Sequence, residues 1–315
     1  MIVWVCFVCT ILLFLALDLG VFNKNAHEIT NKEASVWTVI WVSIALIFGV
    51  LIHFIYKFDW IENPDHLSAW NASIKYITGY LIELSLSVDN IFVIAVIFTS
   101  LKVPKKYQHR VLFWGIIGAI VFRALMIFFG ITLIKKFSWT TYIFGGFLIY
   151  TALKMLFQKE ETFNLKKNFI YKTIKKVMPV STQIDGQHFL IRKKHLLVAT
   201  PLLIALIIIE FTDVAFALDS IPAILGITSD SFLVFSSNIM AILGLRSMYF
   251  FLANMLERFE YVKYSLVVVL SFVGVKLMLT HYIEFPEWLS LGVIIVSLLT
   301  GVLVSLKLSE KPQNN

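Results

Sequence analysis

Two stretches of this chain carry oxygen chemistry in places that should be free of it. ELSLSVDN (83–90) supplies Glu83, Asp89 and Asn90, and EFTDVAFALDSIPA (210–223) supplies Glu210, Asp213, Asp219 and Ser220. Both contain a carboxylate, five residues, then Asp followed by an amide or hydroxyl, and both interrupt long apolar runs. An ionised acid at the centre of a membrane span costs about 2.5–3.5 kcal/mol. With Asp18, six such acids would cost on the order of 15–20 kcal/mol if charged and unpaired. Three compensations are open: protonation, pairing with Arg123 and Arg246, or coordination of a cation. Carboxylate, amide and hydroxyl oxygens suit hard ions such as magnesium, calcium or manganese, and these stripes hold no histidine or cysteine that would favour zinc or copper.

Helical spacing sorts the oxygens. Positions i, i+4 and i+7 share a face, so Glu83, Ser87 and Asn90 form one stripe and Asp89 lies about 120° away at 100° per residue. Asp213, Ala217 and Ser220 form the matching stripe, with Glu210 one turn earlier and Asp219 apart. Each helix therefore presents oxygen on two faces, one to meet the opposite half of the chain and one to meet an arginine of its own half. Pro222 lacks an N–H and leaves the carbonyl of Leu218 free, which predicts an unwound segment beside Asp219.

The elements that hold these residues follow from composition. Of 315 residues, 59% are hydrophobic and 15% charged, with mean hydropathy +0.83. Apolar runs near 2–20, 36–56, 74–100, 110–134, 138–157, 196–226, 231–253, 261–281 and 286–307 each reach the about 20 residues a spanning helix needs. Continuous apolar runs, without strand-like alternation, exclude a transmembrane β-barrel. The expected fold is an all-α polytopic membrane helix bundle of about nine spans. The N-terminus has no basic n-region and reads as a retained span, not a cleaved signal. Cys6 and Cys9 inside it read as small apolar filler, and His53 and His281 as polar tips at the outer ends of spans.

Nineteen of the 27 lysines and arginines fall on one side of a nine-span arrangement and four on the other. The positive-inside rule then places the N-terminus outside and the C-terminus in the cytoplasm. The remaining four, Arg123, Lys154, Arg246 and Lys276, lie within spans. Arg123 and Lys154 are 31 residues apart, Arg246 and Lys276 are 30 apart, and each pair follows an acid-bearing span. ALKML (152–156) and GVKLM (274–278) match as well. The two acid-bearing helices would cross in opposite directions, which describes two inverted repeats with a substrate site where they meet. The domains expected are N-terminal spans in 1–60, a first repeat in 74–157, a basic cytoplasmic linker in 158–195, a second repeat in 196–281 and a C-terminal span in 286–307. KKNFIYKTIKK (166–176) in the linker suits anionic lipid headgroups better than nucleic acid.

The chain resembles the TerC family of integral membrane proteins, named for tellurium resistance and including Alx-type manganese exporters. Besides the acidic motifs, ALDLGVFNKNAHE (16–28), YQHRVLFWGIIGAI (107–120), DSFLVFSSNIMAILGLRSMYFF (230–251) and FVGVKLML (272–279) are similar to it in order. The resemblance implies a LysE-superfamily-like transporter fold in the bacterial cytoplasmic membrane and, for well-studied members, efflux of manganese(II). It implies metal contacts at Glu83, Asp89, Asn90, Glu210, Asp213 and Asp219, with Ser220 beside them, and a gate or charge-pairing role for Asp18. The expected function is secondary transport of a hard divalent cation, with no prosthetic group and no enzymatic activity. The sequence contains no P-loop glycine–lysine motif for ATP coupling and no GxGD-like intramembrane protease element. The rival is a membrane scaffold or assembly factor whose acids only pair with Arg123 and Arg246.

Overall fold

The computed structural model describes residues 2–17, 29–63, 66–157, 169–181, 184, 186–193, 196–253, 261–283 and 285–309. In chain order the helices are α1 (Ile2–Leu17), α2 (Asn31–Lys57), α3 (Ala69–Ser100), α4 (Lys105–Lys136), α5 (Thr140–Phe157) and α6 (Phe169–Val177). After the strands β1 (Leu190–Lys193) and β2 (Leu196–Ala199) come α7 (Pro201–Leu225), α8 (Ser231–Leu252), α9 (Val262–Leu279) and α10 (Glu287–Ser309). Among the described residues eight helices are long and apolar enough to cross a membrane. The ninth expected span is shorter: α1 has 16 residues, about 24 Å at 1.5 Å per residue, and residues 18–28, Asp18 included, lie outside the described ones.

Local chemistry sets the helix starts. The Ser68 side chain accepts from the backbone N–H of Asn71 and starts α3, while Asp230 accepts from Phe232 and Leu233 and starts α8. Both satisfy amides that have no partner within the helix. α7 starts at Pro201, whose fixed φ and missing N–H suit the first helical position. Here the structure corrects the expected 196–226 span, because Leu196–Ala199 is a strand pairing antiparallel with Leu190–Lys193. Thr200 Oγ1 donates to the carbonyls of His188 and Phe189 and fastens that hairpin to the helix start. The stretch between α5 and α7 therefore contains the amphipathic helix α6 and a hairpin whose second strand lies beyond the expected 158–195 linker.

A second correction concerns α7, which runs through Pro222 without unwinding and ends at Leu225. Pro222 lies in its last turn, so the one bond it forfeits, to the Leu218 carbonyl, leaves only three helical residues beyond it.

The helices pack across the two halves of the chain. α5 lies on α9, α3 on α8 and α4 on α7, with further contacts between α3 and α7 and between α4 and α8. α8 is almost wholly enclosed, whereas α4 and α10 turn large apolar side chains such as Phe128, Phe129, Val296 and Leu299 outward. Where α5 crosses α9, a Cβ on Gly145 would stand 2.8 Å from the Gly274 carbonyl oxygen, so the backbones meet directly. At one end of the bundle Trp60, Trp70, Trp139, Tyr282 and Trp288 are exposed, matching an interfacial aromatic belt. His53 there meets the Trp70 ring, and His281 stacks on Tyr142 at 5.6 Å.

Candidate cation site between α3, α4, α7 and α8

Arg123, on α4 and 1% exposed, lies at the centre of the charged interior. Its Nε and Nη2 donate to the two oxygens of Asp213 at 3.1 and 2.8 Å, a bidentate pairing. Nη1 donates to Glu83 Oε1, to Ser220 Oγ at 3.3 Å and to Asn238 Oδ1 at 3.4 Å. Asn238 Nδ2 in turn donates to Glu83 Oε2 at 2.9 Å. Acids of both halves thus converge, as the stripe geometry predicts. The structure corrects one detail of that expectation: the arginine of the first half holds the carboxylates of both halves.

Asn238 was not foreseen. It lies in the SSNIM run at the middle of α8, fully buried, and an amide carries neither the charge nor the pairing demand that drew notice to the acids. Its position is set by α8, whose capped start at Asp230 fixes the register two turns later.

Beside this network lies a cavity of about 30 Å³, enough for a water or one small ion with little else. Asn90, Gly115, Ala119, Thr212, Asp213 and Phe216 are among its lining residues. Asn90 is 5% exposed, and its Oδ1 has no hydrogen-bond partner, nor has Ser87 Oγ one turn before it. Buried acceptors are rarely left so. Glu210, one turn before Asp213, also has an unpartnered Oε2. Its carboxyl group occupies the space where a side chain on Gly118 would project, so that glycine admits it to the α4–α7 contact.

The remaining predicted residues lie elsewhere. Asp219 Oδ1 accepts from Thr151 Oγ1 of α5 at 2.9 Å, near the charge of Lys154. Asp89 faces the charge of Lys263 at the start of α9. Arg246 is buried in α8 at 7% exposure. Among the described residues no three of His, Cys, Asp and Glu come together to enclose an ion. The seven predicted contacts therefore do not form one cage: Glu83, Asp213 and Ser220 meet at Arg123, Asn90 and Asp213 line the cavity, Glu210 flanks it, and Asp89 and Asp219 point to the outer helices. The cause is helical period, since six residues turn Asp89 and Asp219 about 120° from Glu83 and Asp213.

Residues 68–313 match the family described as the integral membrane protein TerC family. The chain belongs to the TerC family. An uncharacterized membrane protein of Myxococcus xanthus is 45% identical over 303 residues, covering 96% of this chain and 91% of that one. A counterpart in Rickettsia bellii is 43% identical, covering 96% of each. A relative in Escherichia coli K12 carries the provisional name membrane-bound redox modulator Alx and is 41% identical over 294 residues, 92% of this chain and 90% of that one. No solved structure matches. The TerC match and the eight span-length helices make this a multi-pass integral membrane protein.

Proposed function

We propose that this TerC protein moves a hard divalent cation, manganese(II) foremost, outward across the bacterial cytoplasmic membrane by secondary transport between two inverted repeats. The observation that carries this reading is a charge mismatch beside a void. Two carboxylates, Glu83 and Asp213, share one guanidinium, a third, Glu210, lies beside Asp213, and an ion-sized cavity opens on Asp213. Two protons or one divalent cation would balance the excess, which gives a natural basis for exchange of one against the other. Asp213, Asn90 and Thr212 bring the oxygens, the atoms a hard ion prefers, to a space otherwise lined by apolar side chains such as Leu112, Ile116 and Ile209. The packing of α3 on α8 and α4 on α7 supports the repeats, because a two-fold relation of α3 to α7 and α4 to α8 turns either contact into the other.

The experiment uses proteoliposomes loaded with manganese(II), comparing wild type with Asp213→Asn and Asp219→Asn. Efflux by wild type and a loss of at least tenfold in Asp213→Asn are expected; equal efflux in all three defeats the proposal.

The pairing of Glu83 and Asp213 with Arg123 favours the scaffold reading, in which the acids are only structural. The two readings separate by ligand effect. If manganese binds the folded protein it raises the thermal midpoint with concentration, and a scaffold shows no such rise. The redox role in the name of the Escherichia coli relative would here fall to Cys6 and Cys9, which are exposed free thiols on α1 and stand apart from the buried acids.

A further inference from the structure

The stretch between α5 and α7 lies outside the spans, yet it turns apolar side chains outward. On β1 and β2, strand alternation sends Ile191 and Val198, paired across the hairpin, into the core, where both are buried. Leu190, Arg192 and Leu197 take the opposite face. Leu190 is 43% exposed and Leu197 58%, and Leu196, at the turn end of β2, is 63% exposed. Three leucines and an arginine at one short hairpin make an uncovered apolar patch with a charge inside it.

The hairpin is held in place from three sides. Thr200 ties it to α7. Arg110, near the start of α4, donates from Nη1 to Gln187 Oε1 at 2.7 Å and stands 5.6 Å from the centre of the Phe189 ring. The Ser181 N–H donates to the Ala199 carbonyl and the Ala199 N–H to the Pro179 carbonyl, which fastens β2 to the chain leaving α6. α6 itself packs Ile170, Tyr171 and Ile174 against the bundle. Apart from Phe169 and Val177 at its ends, its apolar stripe is covered by protein, and that of the hairpin is not.

Two observations identify the cover. The first is continuity: Leu197 precedes Pro201, the first residue of α7, by four residues, at most about 13 Å of strand, and α7 goes on to turn Phe211 and Leu218 outward. The second is charge. From Asn164 to Thr200 the sequence has seven lysines and one arginine against a single acid, Asp185, and the adjoining start of α4 adds Lys105, Lys106 and Arg110.

We infer that the outward face of the β1–β2 hairpin docks on the anionic bilayer surface beside α7, with Leu190, Leu196 and Leu197 at the boundary of headgroups and acyl chains and Arg192 on headgroup phosphates. By the positive-inside rule that surface is the cytoplasmic leaflet. Apolar side chains supply insertion and cations supply attraction to negative lipid, the two components of interfacial binding. The lipid contact thereby moves from the basic run 166–176, whose helix is occupied with the bundle, to the hairpin. It is independent of the transport reading and survives the failure of that reading.

The test places a nitroxide label at Leu190→Cys or Leu197→Cys, one site at a time, in the full chain carrying Cys6→Ala and Cys9→Ala, in nanodiscs that contain phosphatidylglycerol. At both sites collisions with oxygen, which concentrates among acyl chains, should exceed those with a water-soluble nickel complex at least threefold. In discs of phosphatidylcholine alone that ratio should fall at least twofold. Two sites guard against one label disturbing the strand pairing. Nickel collisions prevailing at both sites mean a face turned to water and overturn the docking. Dipolar broadening between singly labelled chains means that a second copy covers the face, and overturns it as well. A ratio equally high in both lipids overturns the part assigned to Arg192 and to anionic headgroups.

Discussion

The guanidinium of Arg123 reaches four side chains on three other helices, so its removal strands two buried carboxylates at once. Breaking a buried ion pair from one side costs about 3–5 kcal/mol. Arg123→Gln is therefore expected to lower the unfolding free energy in detergent by about that much, and adding Glu83→Gln to recover part of it by removing one uncompensated charge. A thermal or denaturant melt of the three proteins checks both statements. Gly118 makes a separate case. Its missing side chain accommodates the Glu210 carboxyl group, so Gly118→Ala should destabilise wild type more than it destabilises a Glu210→Ala background, with a coupling above about 0.5 kcal/mol in the double-mutant cycle. At this scale the acids were legible in the sequence because charge inside a span is costly wherever it points. Their partners were not, since nothing in ELSLSVDN states which helix will face it. Asn238 was overlooked because an uncharged amide draws no notice by itself, and Asn90 was found only because it follows an aspartate.

Helix starts and ends were partly written in the sequence. Ser68 and Asp230 are ordinary capping residues, and Thr200–Pro201 is a start signal that the apolar run from Leu196 obscured. Leu196–Ala199 is too short to distinguish strand from helix by periodicity, and its strand state comes from pairing with Leu190–Lys193. Pro222 was over-read, because a proline so close to a helix end removes a bond from the turn that is fraying already. Pro222→Ala should accordingly change stability by less than about 1 kcal/mol and leave manganese efflux within twofold of wild type, measured in the same vesicles. A large transport defect would indicate that α7 opens beside Asp219 during turnover. Asp230→Ala removes the cap that fixes the register of α8 and should cost about 1 kcal/mol.

The whole molecule is greasy without as well as within, unlike a soluble protein, with a small charged network enclosed among its helices, and composition alone conveyed that apolar character. The asymmetry of basic residues adds an orientation: the face bearing α6 and the β1–β2 hairpin should lie in the cytoplasm, opposite the tryptophan-rich end. With Cys6 and Cys9 replaced by alanine, a single cysteine in Lys172→Cys is expected to react with a membrane-impermeant maleimide only after cells are opened, and one in Trp139→Cys in intact spheroplasts. The reverse pattern would invert the direction assigned to transport. Sequence matching also suggested the two halves, but how they fit together, each helix against a helix of the other half, emerges only when the chain is folded.

The contact of Gly145 with Gly274 bears on how those halves could shift. Most helix pairs interlock through side chains that must climb over one another to slide. Here α5 and α9 bring main chain against main chain at one crossing point, flanked by Met278, Ile149 and Leu148, so that stretch has no interlocking side chains of its own to unseat. Gly274→Ala would set a methyl group 2.9 Å from the Gly145 carbonyl oxygen, prising the pair apart and roughening the track. Its signature should be slowed turnover with manganese affinity unchanged: a worn hinge on a door whose lock still works.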